Sequence, residues 1–266
     1  MTEIYDGIIS FEAMDNTNQT GININKFISN TGMCSRREAE KYIVDERVTI
    51  NNKIAKLGNR VNPGDIVKVD GEKLKTTTND IYIAFNKPVG VICTTELKIK
   101  NNIIQYINHP KRMFPIGRLD KESEGLIFLT NDGNIVNKIL RAGNNHEKEY
   151  IVTVDKPINE KFIERMSNGI PMLGTVTHKC HVEMLSTFVF KIILTQGLNR
   201  QIRRMCSFCG YEVRKLKRVR IMNIGLKNLK LGEWREFSSQ ELEGIMKMVA
   251  TSSKTAENFN VDDYED

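Results

Sequence analysis

No long apolar run occurs in the 266-residue sequence: the longest, such as Ile81–Phe85 and Leu126–Leu129, have the length of a strand. A membrane-spanning helix needs about 20 apolar residues, so none is expected. The opening MTEIYDGIISFEAMD has neither a basic start nor an apolar stretch with a small-residue cleavage site, which argues against a secretory signal and for a cytoplasmic location. The five cysteines are odd in number and lack framework spacing, so reduced thiols are expected rather than disulfides. No Gly-rich phosphate fingerprint is present, which weakens kinase, NTPase and dinucleotide-dependent readings, and no Gly-rich loop after a strand suggests a methyl-donor site. There is no internal repeat.

Acidic residues are scarce in the body of the chain and concentrated at its ends. Residues 1–20 carry four acids and no Lys or Arg, and residues 257–266 carry five acids and no base. Between them, residues 21–253 hold 38 bases against 24 acids, a body near +14. Thr195–Arg235 is the densest part, with eleven Lys/Arg against Glu212 and Glu233 alone. Such a surface calls for a polyanion, and arginine forks without an amphipathic membrane anchor point to nucleic acid; a merely solvated basic face is the plain alternative.

Two parts differ in pattern. In the first, Ile24, Phe27 and Ile28 make one apolar face closed by Gly32, and Ser35-Arg36-Arg37-Glu38 reads as a capping box starting a second helix. That helix carries Arg36, Arg37 and Lys41 near its N-terminal end, where the dipole favours an anion. Short strands and tight turns follow at Val48-Thr49-Ile50, Asn51-Asn52, Pro63-Gly64-Asp65 and Ile66–Val69. From Ile81 onward longer strands are expected at Ile81–Phe85, Leu126–Leu129, Tyr150–Val154, Cys180–Met184, Phe188–Leu194 and Val219–Ile224. Helices are expected at Asn134–Leu140, Asn159–Asn168, Asn199–Cys209 and behind a second capping box at Ser238-x-x-Glu241 through Val249. Strands and helices do not alternate strictly, so an α+β fold with a mixed or antiparallel sheet fits better than a doubly wound one.

Three segments could carry chemistry: the polar loop Gly117–Leu126, Lys148-Glu149-Tyr150 at a strand start, and Gly197–Met205, a turn entering an arginine-rich helix. His178, Cys180, His181, Cys206 and Cys209 could in principle hold zinc. However, Ile202, Met205, Cys206 and Cys209 fall at helical spacing and continue an apolar stripe, so core packing is the better reading and no metal is expected.

Several ordered motifs carry a resemblance: Asn86-Lys87-Pro88-Val89-Gly90, Gly117–Leu126, Gly197–Cys206 (GLNRQIRRMC), Gly210–Lys215 (GYEVRK), Arg220–Asn223 (RIMN) and Leu231–Arg235 (LGEWR). The sequence resembles the RsuA-type bacterial ribosomal RNA pseudouridine synthases, with the likeness greatest to a large-subunit rRNA enzyme. Residues 21–75 are similar to an S4 RNA-binding domain and residues 81–250 to the catalytic domain. A linker at 76–80 and acidic tails at 1–20 and 251–266 complete the expected organisation. The resemblance implies an isomerase that breaks the N-glycosidic bond of a uridine in RNA, turns the uracil and rejoins it through carbon at C1′, without cofactor or metal. Its essential aspartate corresponds to Asp120, its active-site tyrosine to Tyr150, and the basic partner of the aspartate to Arg203. Whether Asp120 attacks covalently or acts through a sugar-derived intermediate is not decided by resemblance.

Arg118, within that loop and two residues before Asp120, has the position of a residue that in related synthases enters the gap left by a flipped nucleotide; a phosphate contact or a local salt bridge to Glu122 or Glu124 is the alternative. Arg200 and Arg204 lie four apart and are expected to share a helix face that meets phosphate rather than Asp120. Together with Arg36, Arg37 and Lys41 they are the expected RNA contacts. The resemblance implies ribosomal RNA as the partner, a stem-loop of the 23S molecule in the first instance, with transfer RNA open as a second substrate, and the protein is expected to be a monomer. Two rival readings are an RNA-binding assembly protein whose catalytic domain has become a scaffold, and a zinc-dependent RNA enzyme.

Overall fold

The computed structural model describes residues 21–75 and 80–252, which form two compact units. Most of the expected linker and nearly all of both acidic tails lie outside the described residues.

The first unit opens with β1 (Ile22–Asn23), α1 (Ile24–Asn30) and α2 (Arg36–Val44). The capping box is present: Glu38 N donates to Ser35 Oγ at 3.1 Å, and Ser35 N donates to Glu38 Oε2 at 2.7 Å. Then come β2 (Val48–Ile50), β3 (Lys53–Ile54), β4 (Arg60–Val61), β5 (Val67–Val69) and β6 (Glu72–Lys73). Four strands form an antiparallel sheet in the order β3-β2-β5-β6, while β1 pairs with β4. The β2–β3 hairpin turns through Asn51 and Asn52, both with positive φ, as a tight hairpin of this hand requires. Ile24 and Ile28 from α1, Ala39 and Ile43 from α2, and Val48, Val67 and Val69 from the sheet make its core.

The second unit is an α+β assembly. Its elements are β7 (Tyr82–Lys87), α3 (Ile103–Ile107), β8 (Phe114–Ile116), β9 (Glu124–Thr130), α4 (Gly133–Leu140), β10 (Lys148–Val154), α5 (Glu160–Ser167), β11 (Pro171–Met172), β12 (Thr175–Val176), β13 (His181–Ser186), β14 (Val189–Leu194), α6 (Gln201–Phe208), β15 (Val213–Ile221), β16 (Ile224–Gly225), β17 (Trp234–Glu236) and α7 (Ser239–Ala250). The sheet runs β13-β14-β10-β15-β9-β7-β17, with β16 on β15 and β8 on β9. Every pairing in it is antiparallel except β15 with β9, so the sheet is mixed.

Strands β7 and β9 are covered on both faces, and their side chains alternate between two apolar layers. Ile83, Phe85, Ile127 and Leu129 join Val152, Phe162, Met205 and Cys206 in one layer; Tyr82, Ala84, Leu126 and Phe128 join Ile135, Ile139, Ile245 and Val249 in the other. The second capping box also forms, with Glu241 N donating to Ser238 Oγ at 3.2 Å. Among the described residues no helix is long and apolar enough to cross a membrane.

Two expectations need correction. The strand expected at Val219–Ile224 runs over Val213–Ile221, then turns at Met222, whose φ is +51°, into β16. Its pattern Val-Arg-Lys-Leu-Lys-Arg-Val-Arg-Ile hides the period because an inward position is occupied by Arg218, buried at 4% exposure. The helix expected from Asn199 begins at Gln201, because Arg200 is its N-cap residue in the left-handed region, with φ +48°.

Candidate active site

The loop between β8 and β9 is held from several sides. Gly117 leaves β8 with φ +76°, Leu119 is buried, and its amide donates to Cys93 Sγ at 3.5 Å. Asp120 opens a turn closed by Ser123 N on its carbonyl at 3.0 Å, and Gly90 N donates to Lys121 O at 2.8 Å, fastening the loop to the Asn86–Gly90 turn. That turn is braced from beneath by Lys87, which is fully buried and donates through Nζ to Pro88 O at 3.0 Å and Val91 O at 2.9 Å. Burial lowers the Lys87 pKa, while Cys93, Asp120 and Glu122 pull it back up. Loop composition alone gives no sign that this lysine is internal.

Two arginines face the Asp120 carboxylate. Arg203 Nε lies 3.6 Å from Asp120 Oδ2, and Arg200 Nη1 lies 3.8 Å from the same oxygen. The two cations are held differently. The Arg203 guanidinium is mostly buried and donates to Val213 O at 3.3 Å, Glu122 O at 3.4 Å and Ser123 Oγ at 3.3 Å, so backbone geometry sets its direction. Arg200 is more exposed and also pairs with Glu122 Oε2 at 3.1 Å, and this hydrogen bond holds the Glu122 carboxyl below its ordinary range. The expectation that Arg200 shares a face with Arg204 away from Asp120 is corrected here: the left-handed N-cap turns Arg200 toward the loop. Arg204 instead donates to Asn199 O at 3.1 Å and Asn199 Oδ1 at 3.2 Å.

Tyr150 lies in β10, opposite Ile192 on one side and Arg218 on the other, and is 8% exposed. Asp120 and Tyr150 therefore come from segments that border β15 on its two sides. Gly125, with φ +108°, lets β9 approach β15, since a Cβ there would overlap the backbone of Arg218. Lys148 is buried as well, and burial reinforced by Arg218 lowers its pKa to about 8. Arg118 is exposed beside buried Leu119. In the first unit, Arg36, Arg37 and Lys41 are exposed on α2.

The five residues weighed as a zinc set do not come together. Among the described residues no three His, Cys, Asp or Glu side chains are grouped as metal ligands. Cys206 sits inside the core, where burial pushes its thiol up to about 12, and Cys180 donates to Met166 O at 3.3 Å.

Comparison with known proteins bears on both units. Residues 81–208 match the RNA pseudouridylate synthase family model and residues 23–67 match the S4 domain. The chain is 56% identical to the dual-specificity RNA pseudouridine synthase RluF of Escherichia coli (strain K12), over 88% of this chain and 81% of that protein. It is 31% identical to the ribosomal large subunit pseudouridine synthase B of Bacillus subtilis (strain 168), over 88% and 98% of the two chains. A crystal structure of a pseudouridylate synthase matches with a TM-score of 0.62 at 28% identity, covering 84% of this chain and 99% of that one. A loop aspartate facing two arginines, in a mixed-sheet unit preceded by an S4 domain, is thus found in a chain that belongs to the RNA pseudouridine synthases, isomerases that convert uridine in RNA to pseudouridine.

Proposed function

We propose that the chain isomerises a specific uridine of large-subunit (23S) ribosomal RNA and that Asp120 is the essential carboxylate. The observation that carries this reading is the pair of guanidiniums 3.6 and 3.8 Å from Asp120 Oδ2. The two guanidiniums attract the carboxylate, and the backbone-held Arg203 fixes its direction. The reaction needs such a group. The C1′–N1 bond breaks with its electron pair leaving on the uracil, the base turns, C5 bonds to C1′, and the C5 proton is removed while N1 takes one up. Asp120 serves this either by bonding to C1′ or by stabilising and then deprotonating the sugar.

Tyr150 offers the base a flat apolar face with a polar tip, suited to a ring that must turn without leaving. Extruding a stacked uridine costs a few kcal/mol, and Arg118, exposed on the Asp120 loop, offsets part of this by entering the gap. Arg200, Arg204, Arg36, Arg37 and Lys41 serve phosphate, which positions the RNA without reading its sequence. Arg200 does so while also facing Asp120. The related large-subunit enzyme supports large-subunit ribosomal RNA as the substrate, and the relatives called dual-specificity fit a second RNA substrate, for which transfer RNA is the candidate. We further propose that it acts as a monomer in the cytoplasm and without a cofactor.

The test is to map pseudouridines in ribosomal and transfer RNA from cells with and without the gene. One 23S position that reverts to uridine on deletion, and is restored by the wild-type gene but not by Asp120→Asn, is the expected result. An unchanged map in both RNAs overturns the reading.

A further inference from the structure

Arg218 is a buried cation without an anion. Only 4% of it is exposed, yet among the described residues no carboxylate lies within 4.0 Å of it. Its Nε donates to Leu126 O at 2.6 Å, whereas its Nη2 is buried and finds no acceptor. Removing a guanidinium from water costs several kcal/mol even after relaxation, and a single backbone carbonyl recovers little of that. Arginine cannot shed its proton to escape the cost. Its surroundings add to the difficulty, because Lys148 and Lys87 are also buried and each is destabilised as a cation partly by Arg218. A cost of this kind is explained when an anion arrives during function.

The location says which anion. Arg218 lies directly opposite Tyr150 across β10 and β15, with its guanidinium carbon 6.0 Å from the Tyr150 ring centroid. Arg218 pairs with Gly125 and its Nε bonds Leu126 O, five and six residues after Asp120, so it lies where the Asp120 loop enters the sheet. Phosphate stays at the RNA surface and is met by exposed cations, but Arg218 is interior. The one substrate group carried that deep is the base that Tyr150 would hold.

We propose that Arg218 is a further catalytic residue, whose unpaired Nη2 donates to a carbonyl oxygen of the uracil and stabilises the negative charge left on the base when the C1′–N1 bond breaks. This rests on the assignment of Tyr150 as the platform for the base. The electron pair from the broken bond spreads over N1 and the ring oxygens, then returns to form the C5–C1′ bond; Arg218 gives up no proton at any step. A preorganised donor of this kind acts only where charge develops, so it raises the rate without tightening ground-state binding.

The experiment uses the full chain and the mapped 23S stem-loop under single-turnover conditions with enzyme in excess. Arg218→Met, which keeps the apolar bulk, should slow conversion by about 10²–10³-fold while the RNA Kd changes less than about threefold, and Arg218→Lys should recover part of the rate. Replacing the target by 2-thiouridine or 4-thiouridine weakens the acceptor. Wild type should slow on one of the two, and Arg218→Met should show no further loss on that substrate. Full activity of Arg218→Met, or a loss confined to Kd, overturns the proposal. Should that variant fail to fold by thermal unfolding, equal wild-type rates on uridine and both thiouridines overturn it. If wild type makes no pseudouridine, or Asp120→Asn remains active, the underlying reading fails and takes this one with it; an active wild type, an inactive Asp120→Asn and a fully active Arg218→Met refute Arg218 alone.

Discussion

Gly125 lies against the backbone of Arg218, in the parallel contact between β9 and β15. The glycine has φ +108°, and a Cβ at this position would overlap both the carbonyl oxygen and the amide nitrogen of Arg218. The loop bearing Asp120 thus reaches the sheet through a position that no side chain can occupy. Gly125→Ala should destabilise the protein by about 3 kcal/mol or more, since positive-φ strain adds to a clash with backbone that cannot move aside. Gly117→Ala is the control. Its φ is +76° but its Cβ would meet only the Leu140 side-chain end at 2.8 Å, and a loss of about 1 kcal/mol is expected. Equal midpoint shifts for the two variants in denaturant unfolding would contradict this account.

The two arginines at Asp120 should not be equivalent. Asp120→Asn should bind RNA as wild type does and make no pseudouridine. Arg203 is mostly buried and fixed by backbone, so Arg203→Ala should slow turnover on the order of 10²-fold, equivalent to about 3 kcal/mol. Arg200 is nearer water and divides its charge between Asp120 and Glu122, so Arg200→Ala should cost about tenfold or less, with a stronger dependence on salt. Single-turnover rates at two ionic strengths separate the cases, and equal losses would show that exposure does not grade the pair.

Local signals in the sequence were legible because their chemistry is local. Ser35 with Glu38, and Ser238 with Glu241, announce helix starts three residues apart, and both boxes form. The apolar spacing of α6 places Cys206 inside. Arg218 could not be read this way, because a charged residue at an inward strand position looks like a solvated one until the neighbouring strands are known. Arg200 was misplaced since helical spacing assumes helical dihedrals, and its φ is +48°. The five-residue α3 and three-residue β17 are too short to show a period, and tertiary packing defines them.

The first unit should contribute phosphate contacts through α2. Arg36, Arg37 and Lys41 are exposed there, and each phosphate contact releases roughly one counterion. The triple alanine variant should therefore weaken RNA binding and flatten the slope of log affinity against log salt by about two to three, with the fold unchanged because none of the three is buried. A filter-binding or fluorescence titration across salt concentrations reads this directly. An unchanged slope would assign all phosphate contacts to the second unit.

Acid stability should depend on Glu241. Its carboxylate caps α7 and accepts from Arg235 Nη1 at 2.7 Å and Nη2 at 2.8 Å, with Ser238 N at 3.0 Å and Lys227 Nζ at 3.1 Å. The hydrogen bonds from Arg235 are the main cause that lowers its pKa from 4.5 to about 2, against the opposing effect of burial. For an acid whose pKa is lower in the folded state, the unfolded chain binds the proton first as pH falls. The stabilisation is accordingly complete above pH 4.5 and is lost as pH drops toward 2. The shift corresponds to about 3 kcal/mol at most, an order-of-magnitude figure. Glu241→Gln removes the titration, so the variant should be less stable than wild type at pH 7 and the gap should narrow between pH 4.5 and 2. Urea unfolding of both proteins across that range provides the measurement, and a gap that stays constant with pH would show that Glu241 is not the titrating group.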